Sequence, residues 1–445
     1  PADSAFMGFL GNLQAGAQAI PLRPWTEGQD IHEHNVLRQM RDREEVRRAP
    51  ELDRGTVDAL AEVFDYVFAD RSIPMQLKIV IGRLQIPVLK AAMIDRDFFL
   101  TPEHPARRLI DALAAASVAW IPEKGESDPL YVEIEHVVKR VLAEFEDDLR
   151  LFGVLLADFQ LFVQETERKA QTRIDPAANQ EQQGEAMDLA LSHADEVVHQ
   201  CIHALPPGET LAPFLVPFLT DQWREVMARA WLNVAETPSD WDHALSTMDQ
   251  VIWSAQPKTQ PQERAKLVAM LPALVQSLNA SLDAIHWTGD ARATFTRMLI
   301  DTHMKAIRSP KAGQPVSDSG PGELESKAAH EAVKALEERR ARPEASVDDE
   351  SDAQARALER GQWFDFIDDK GEMRRYRLGW VSPQRTRLLF TNRDGFEAFV
   401  RSEREVAALL REGRLAMIDQ QPIVARAIDQ IMSDAESGEL DLEIV

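Results

Sequence analysis

Between Lys370 and Arg393 the chain places seven lysines or arginines (Lys370, Arg374, Arg375, Arg377, Arg385, Arg387 and Arg393) against one acid, Glu372. Guanidinium groups on neighbouring strands pair bidentately with phosphates, and an aromatic ring beside them can stack on a base. Arg374, Arg375, Arg377, Trp380, Ser382, Arg385 and Arg387 therefore form the candidate ligand-binding set. Three readings stay open. The strip binds a phosphate or nucleotide, or docks on an acidic protein surface that includes this chain's own helices, or is simply the solvated outer face of a hairpin whose charges guard its edge.

Other residues with chemical potential are weaker. His199 and His203 in HQCIHA stand four apart on one helical face, a usable ligand spacing, but Cys201 points elsewhere and no second cluster joins them, so no metal is expected. HPARR at 104–108 reads as a helix opening with Pro105 in its first turn, and Arg83 and Gln85 in an apolar segment need partners if buried. No Walker loop, glycine-rich dinucleotide turn, HExxH, GxSxG or CxxC pair occurs, so no catalytic residue is expected and the chain is read as non-enzymatic.

A net charge of −24 over 445 residues repels nucleic acid and anionic lipid except at a local basic patch, which excludes DNA or RNA as a general partner. The single cysteine, Cys201, cannot form an internal disulfide. No run approaches the roughly 20 apolar residues of a membrane span, and no cationic segment precedes the first apolar residues, so a cytoplasmic protein is expected.

The elements that must position the strip are mainly helical. Residues 1–55 read as an irregular arm with one helix. Leu60, Phe64, Val67 and Phe68, then Ile134, Val137, Val138, Val141, Leu142 and Phe145, recur at helical spacing in a first block, 56–205. QLKIVIGRLQIPVLK predicts central helices broken beside Gln85 by Pro87. The polar stretch 165–184 reads as a solvated helix end or loop. A second block, 206–308, carries the stripe Leu267, Leu271, Leu274, Val275, Leu278, Leu282 and Ile285. Residues 309–357 hold too few large apolar side chains to offset their ordering and read as a largely disordered linker with a short helix at 325–340.

Residues 358–445 form a different module. Phe364 and Phe366 alternate with polar residues, Tyr376, Leu378 and Trp380 share one face opposite Arg375, Arg377 and Gly379, and Asp369-Lys370-Gly371 and Asp394-Gly395 are turn signals. Ser402 with Glu405 makes a capping box, Gly413 stops that helix, and Pro422 opens another. The prediction is a mainly α chain: a multi-helix body, a flexible linker, and a small antiparallel β-barrel-like module closed by helices.

The blocks GRLQIPVLK...D..FF...HPARRL, VIWSAQPK...ERAKLVAMLPALVQSLNASLDAI and LERGQWFDF...RRYRLGWVSPQRTRLLFTNRDG together resemble the bacterial family of unknown function numbered 1631 over roughly 58–432. That resemblance implies a cytoplasmic protein without an established activity. The C-terminal strip resembles a PilZ-type barrel, which implies cyclic di-GMP as a possible ligand and no other cofactor. Here Arg374, Arg375 and Arg377 are adjacent rather than spaced as RxxxR, and Ser382 has no glycine three residues on, which implies a degenerate site. The expectation is a regulatory or adaptor protein with protein partners, self-association among them; the alternatives are a purely structural adaptor with a degenerate nucleotide site and, third, a hydrolase or transferase whose residues meet only on folding.

Overall fold

The computed structural model describes residues 3–19, 30–205, 211–308, 322–341 and 349–437. The expected stripe of Leu60, Phe64, Val67 and Phe68 is buried along helix Glu51–Ala69. The apolar segment after it breaks at Arg83 and Leu84 into helices Met75–Gly82 and Gln85–Ile94, with Pro87 in the first turn of the second, where a missing N–H breaks no helical bond. A Cβ on Gly82 would lie 2.9 Å from the Phe68 ring, so a glycine there lets the 75–82 helix pack this closely on the 51–69 helix. The Gln85 amide N–H groups donate to the carbonyls of His34 and Gly82 at 2.9 and 2.8 Å, while its buried Oε1 has no hydrogen-bond partner among the described residues. The imidazole of His104 accepts from the Ala106 N–H at 3.2 Å and caps helix Pro105–Ser117.

The chain divides into two compact units, residues 1–178 together with 349–445, and residues 179–348. The division falls within helix Arg150–His203, not near residue 205. Several sequence expectations change accordingly. Helix Ser4–Ala19 buries Phe6 and Leu10 in the same core as the 51–69 helix, so this part of the expected arm is packed, while residues 20–29 lie outside the described residues. The 165–184 stretch is helical throughout and contains Pro176; Ala170, Ile174 and Ala178 are buried, and that packing outweighs its polar composition. Of the predicted linker, 309–321 and 342–348 lie outside the described residues. Helix Glu323–Arg340 buries Leu336 in the second unit, and Glu350–Ala357, opened by a capping box between Asp349 and Asp352, buries Ala355 in the sheet module.

The second unit is helical. Leu215, Leu219, Trp223, Met227, Met248, Val251 and Leu274 build its core, and the Asp195 carboxylate is gripped by Arg224 at 2.6 Å and Arg339 at 3.2 Å. Among the described residues one helix, Pro261–Ala284, is long and apolar enough to cross a membrane. Its Leu274, Leu278 and Leu282 sit in this core while Val268 and Val275 are exposed, the division expected of an amphipathic core helix.

In the first unit, five strands form one antiparallel sheet: β1 Trp363–Ile367, β2 Met373–Val381, β3 Leu388–Thr391, β4 Phe399–Arg401 and β5 Leu415–Met417, in the order β4-β3-β2-β1-β5. The sheet does not close into the expected barrel. Its edge strands, β4 and β5, are three residues each, and helix Glu403–Arg411 between them packs on the sheet in place of further strand pairing. The capping box of Ser402 and Glu405 and a left-handed Gly413, at φ 69°, bracket that helix as the sequence indicates.

One face of the sheet carries Phe364, Tyr376, Leu378 and Phe390 under Ala355, Val406 and Ala407. Trp380 does not join them. The register shifts between Leu378 and Trp380, so Gly379 forms a bulge and Trp380 pairs with Leu389, packing with Ile174 and Ala178 on the opposite face. A Cβ on Gly379 would meet Ile174 at 2.9 Å, which explains a glycine at the bulge.

Candidate functional site

The arginines of the strip arise on β2 and its flanking turns, and their partners take them to different places. Arg375 holds Asp365 at 2.9 Å on its own sheet and reaches the body, where it donates to the carbonyls of Ser72 and, at 3.2 Å, Val118. Val118 ends the 105–117 helix, so the guanidinium also meets the negative end of a helix dipole. Arg377 pairs with Glu167 at 3.0 Å and donates to the Gly361 carbonyl at 3.3 Å. Arg385, in a left-handed turn conformation at φ 57°, donates to the carbonyls of Leu358 and Ala355 and lies 3.5 Å from Glu403. Ser382 is buried, and its Oγ accepts from the Arg387 N–H at 3.0 Å, fastening the β2–β3 turn. Trp380 lies against the 150–203 helix. Arg374 is the exposed member, 44% accessible, with Glu372 at 3.4 Å and Glu397 at 3.8 Å.

Two residues outside the candidate set anchor the sheet more deeply. Arg393 reaches Asp128 at 2.8 Å, with side chains 9% and 0% exposed. Asp128 is itself the N-cap of helix Pro129–Glu144, accepting from Leu130 N at 2.9 Å and Ile121 N at 3.0 Å. Asp394 beside it takes Lys124, and its carbonyl accepts from Arg173 at 2.7 Å. Burial pushes the Asp394 carboxyl up, but hydrogen bonds from Lys124 and Arg393 outweigh it and hold the group below the ordinary carboxylate range. The returning helix Ile423–Ser437 is fixed the same way. Arg426 pairs with Asp70 at 2.9 Å, and Asp111 accepts from Val424 N at 2.8 Å. Burial of Asp111 dominates these contacts and raises its pKa.

Between the helices and the sheet lies a cleft of about 560 Å³. Ala112, Ala115, Ala116, Phe159, Phe162 and Trp363 give it apolar walls, and Arg377, Arg393 and Arg426 bring guanidinium groups to it with Asp111, Glu167 and Asp419. Of the seven candidate residues only Arg377 lines it. Sequence reasoning missed the rest because they come from segments hundreds of residues apart. The local signal available was Ser127-Asp128-Pro129, an N-cap followed by proline at the first helical position, which marks Asp128 as a cap but not as the partner of Arg393.

Elsewhere the chemistry is modest. His199 and His203 stack at 4.0 Å, and no group of three or more potential metal ligands occurs among the described residues. Ser254 and His303 approach to 2.9 Å, but the serine is fully buried and its hydroxyl donates to the Val251 carbonyl at 2.8 Å.

Comparison with known proteins returns three domain matches, all to one family described as protein of unknown function (DUF1631): its 2nd domain over residues 1–148, its third domain over 180–300, and its C-terminal tudor domain over 350–418. The sheet module is thus matched as a tudor domain and not as a PilZ domain. No curated protein and no solved structure matches. With three successive domains of one family covering most of its length, the chain belongs to the DUF1631 family.

Proposed function

We propose that the protein is a non-enzymatic adaptor or regulator that works in the cytoplasm by binding other proteins. The observation that carries this reading is the match of the C-terminal sheet to a tudor domain. Set on a helical body, such a module leaves its outer rim for a partner: Ile367 and Met373, paired across β1 and β2, are 37% and 62% exposed. A cyclic di-GMP site on the strip has less support, because Arg375 and Arg385 already serve Asp365 and backbone carbonyls of the same chain.

Two measurements on the full chain test the reading. Calorimetric titration with cyclic di-GMP is expected to give no saturable heat. Crosslinking capture from the source cells is expected to yield a defined protein that a variant carrying Ile367→Glu and Met373→Glu, folded by circular dichroism, no longer retains. Saturable binding of the nucleotide, or capture unchanged by the double variant, would overturn it.

A further inference from the structure

We infer that the cleft between the sheet and the helices of the first unit is a binding site for a small amphipathic anion, a carboxylate joined to an apolar body. Its volume of about 560 Å³ falls in the range of small-molecule sites, roughly 300–1,000 Å³. The walls fit the apolar part: apart from Asp111, the 105–117 helix lines the cleft with alanines alone, whose short side chains leave the space open, while Phe159, Phe162 and Trp363 offer ring surfaces. The charged part has its partner in Arg377.

The three guanidinium groups differ in what they can release. Arg393 and Arg426 hold Asp128 and Asp70, carboxylates exposed by 0% and 7%, and those pairs are part of the framework. Arg377 holds Glu167, which is 49% exposed. A half-exposed pair contributes little to stability, since water already satisfies its carboxylate when it swings away. Glu167 thus occupies the position that a ligand carboxylate takes. A guanidinium also carries five N–H groups, more than Glu167 and the Gly361 carbonyl use, so bidentate capture is within reach. The acids of the cleft do not favour a cation instead: Asp111 is engaged by the Val424 N–H, Glu167 by Arg377, and Asp419 lies 3.9 Å from Arg426.

The test uses the full chain and dodecanoate below its micelle concentration, titrated by calorimetry, with dodecylammonium and acetate as comparisons. Dodecanoate is expected to bind one to one, and the comparison compounds at least about tenfold more weakly, one lacking the anion and the other the apolar body. Ala115→Trp, which fills the cleft from an exposed helical position, and Arg377→Met are each expected to weaken dodecanoate by at least about tenfold, and Arg374→Met to leave it unchanged. Hydrogen exchange should slow on binding at 105–117, 159–167 and 361–363. If Arg377→Met does not fold, Ala115→Trp, verified by its thermal unfolding, decides. Absence of saturable heat, undiminished binding by folded Ala115→Trp, or equally tight dodecylammonium binding would each overturn the proposal.

Discussion

The two faces of the five-stranded sheet are held by different mixtures of contacts. The face under helices 350–357 and 403–411 is apolar, with Phe364, Tyr376, Leu378 and Phe390 touching neighbours that are close in sequence. The face turned to the body carries Asp365, Arg375, Arg377 and Thr391 beside a small apolar contact of Trp380 and Leu389 with Ile174 and Ala178, and charge-assisted hydrogen bonds hold it to partners up to 304 residues away. The first face makes the module a folded object. The second fixes where that object sits, because hydrogen bonds to named carbonyls and carboxylates tolerate little displacement, whereas apolar contacts can slide.

This contrast predicts that the strongest anchor on each face costs about the same to remove, with different consequences. Phe364→Ala should cost about 3–5 kcal/mol, the usual loss for a buried phenylalanine. Arg393→Ala should also cost about 3–5 kcal/mol, because it leaves Asp128 buried without its counter-ion. Urea unfolding measures both. Hydrogen exchange separates them: Phe364→Ala should loosen the strands alone, and Arg393→Ala should also loosen 121–130, where Asp128 caps a helix. Equal exchange patterns would mean the two faces unfold as one and the contrast is not energetic.

Backbone fit offers a second way to break the comparison. Gly395 has φ 81°, and a Cβ there would lie 2.6 Å from the Ala170 carbonyl oxygen on the 150–203 helix. Gly395→Ala should therefore cost at least about 1–3 kcal/mol, the strain of a non-glycine residue in the left-handed region, before any clash is counted. Next comes Arg375→Ala, at about 1.5–3 kcal/mol for the lost charge-assisted bonds to Ser72, Val118 and Asp365. Arg374→Ala is its control on the exposed rim and should leave the urea midpoint unmoved.

These expectations also mark what the sequence could convey. The apolar face was legible because alternation is a local signal, and the capping box at Ser402 and Glu405 fixed the helix above it. Trp380 was assigned to that face because strict alternation puts it with Tyr376 and Leu378. The bulge at Gly379 reverses it, and a lone glycine in a strand does not say whether it bends or merely tolerates a neighbour. Basic residues at 374–393 stood out against an acidic chain, yet whether they meet a ligand or their own body depends on partners such as Asp128, 265 residues from Arg393, which no window of sequence contains. The cleft was invisible for the same reason. Its alanines on the 105–117 helix look like ordinary helix formers until the sheet is placed beside them.

The smallest expected effect is also the sharpest probe of charge on the body-facing side. Asp111 caps the 423–437 helix, and its burial raises the carboxyl pKa above that of an unfolded aspartate, about 3.9. A raised value means that the folded chain binds this proton more tightly than the unfolded chain does. The group's contribution to stability is therefore greatest below pH about 3.9 and is lost as pH rises through the folded value. Asp111→Asn keeps an oxygen to accept from Val424 N and removes the ionisation. The variant should match the wild type in acid and become the more stable of the two toward pH 7. Asp394, whose carboxyl is held low by Lys124 and Arg393, has the opposite dependence, but it is present in both proteins and cancels from the difference. Urea midpoints of the pair measured across pH 4 to 7 give the sign directly. A wild type that gains on the variant as pH rises would show that the Asp111 charge is stabilised by the Val424 N–H, Arg107 and Arg426 more than burial penalises it.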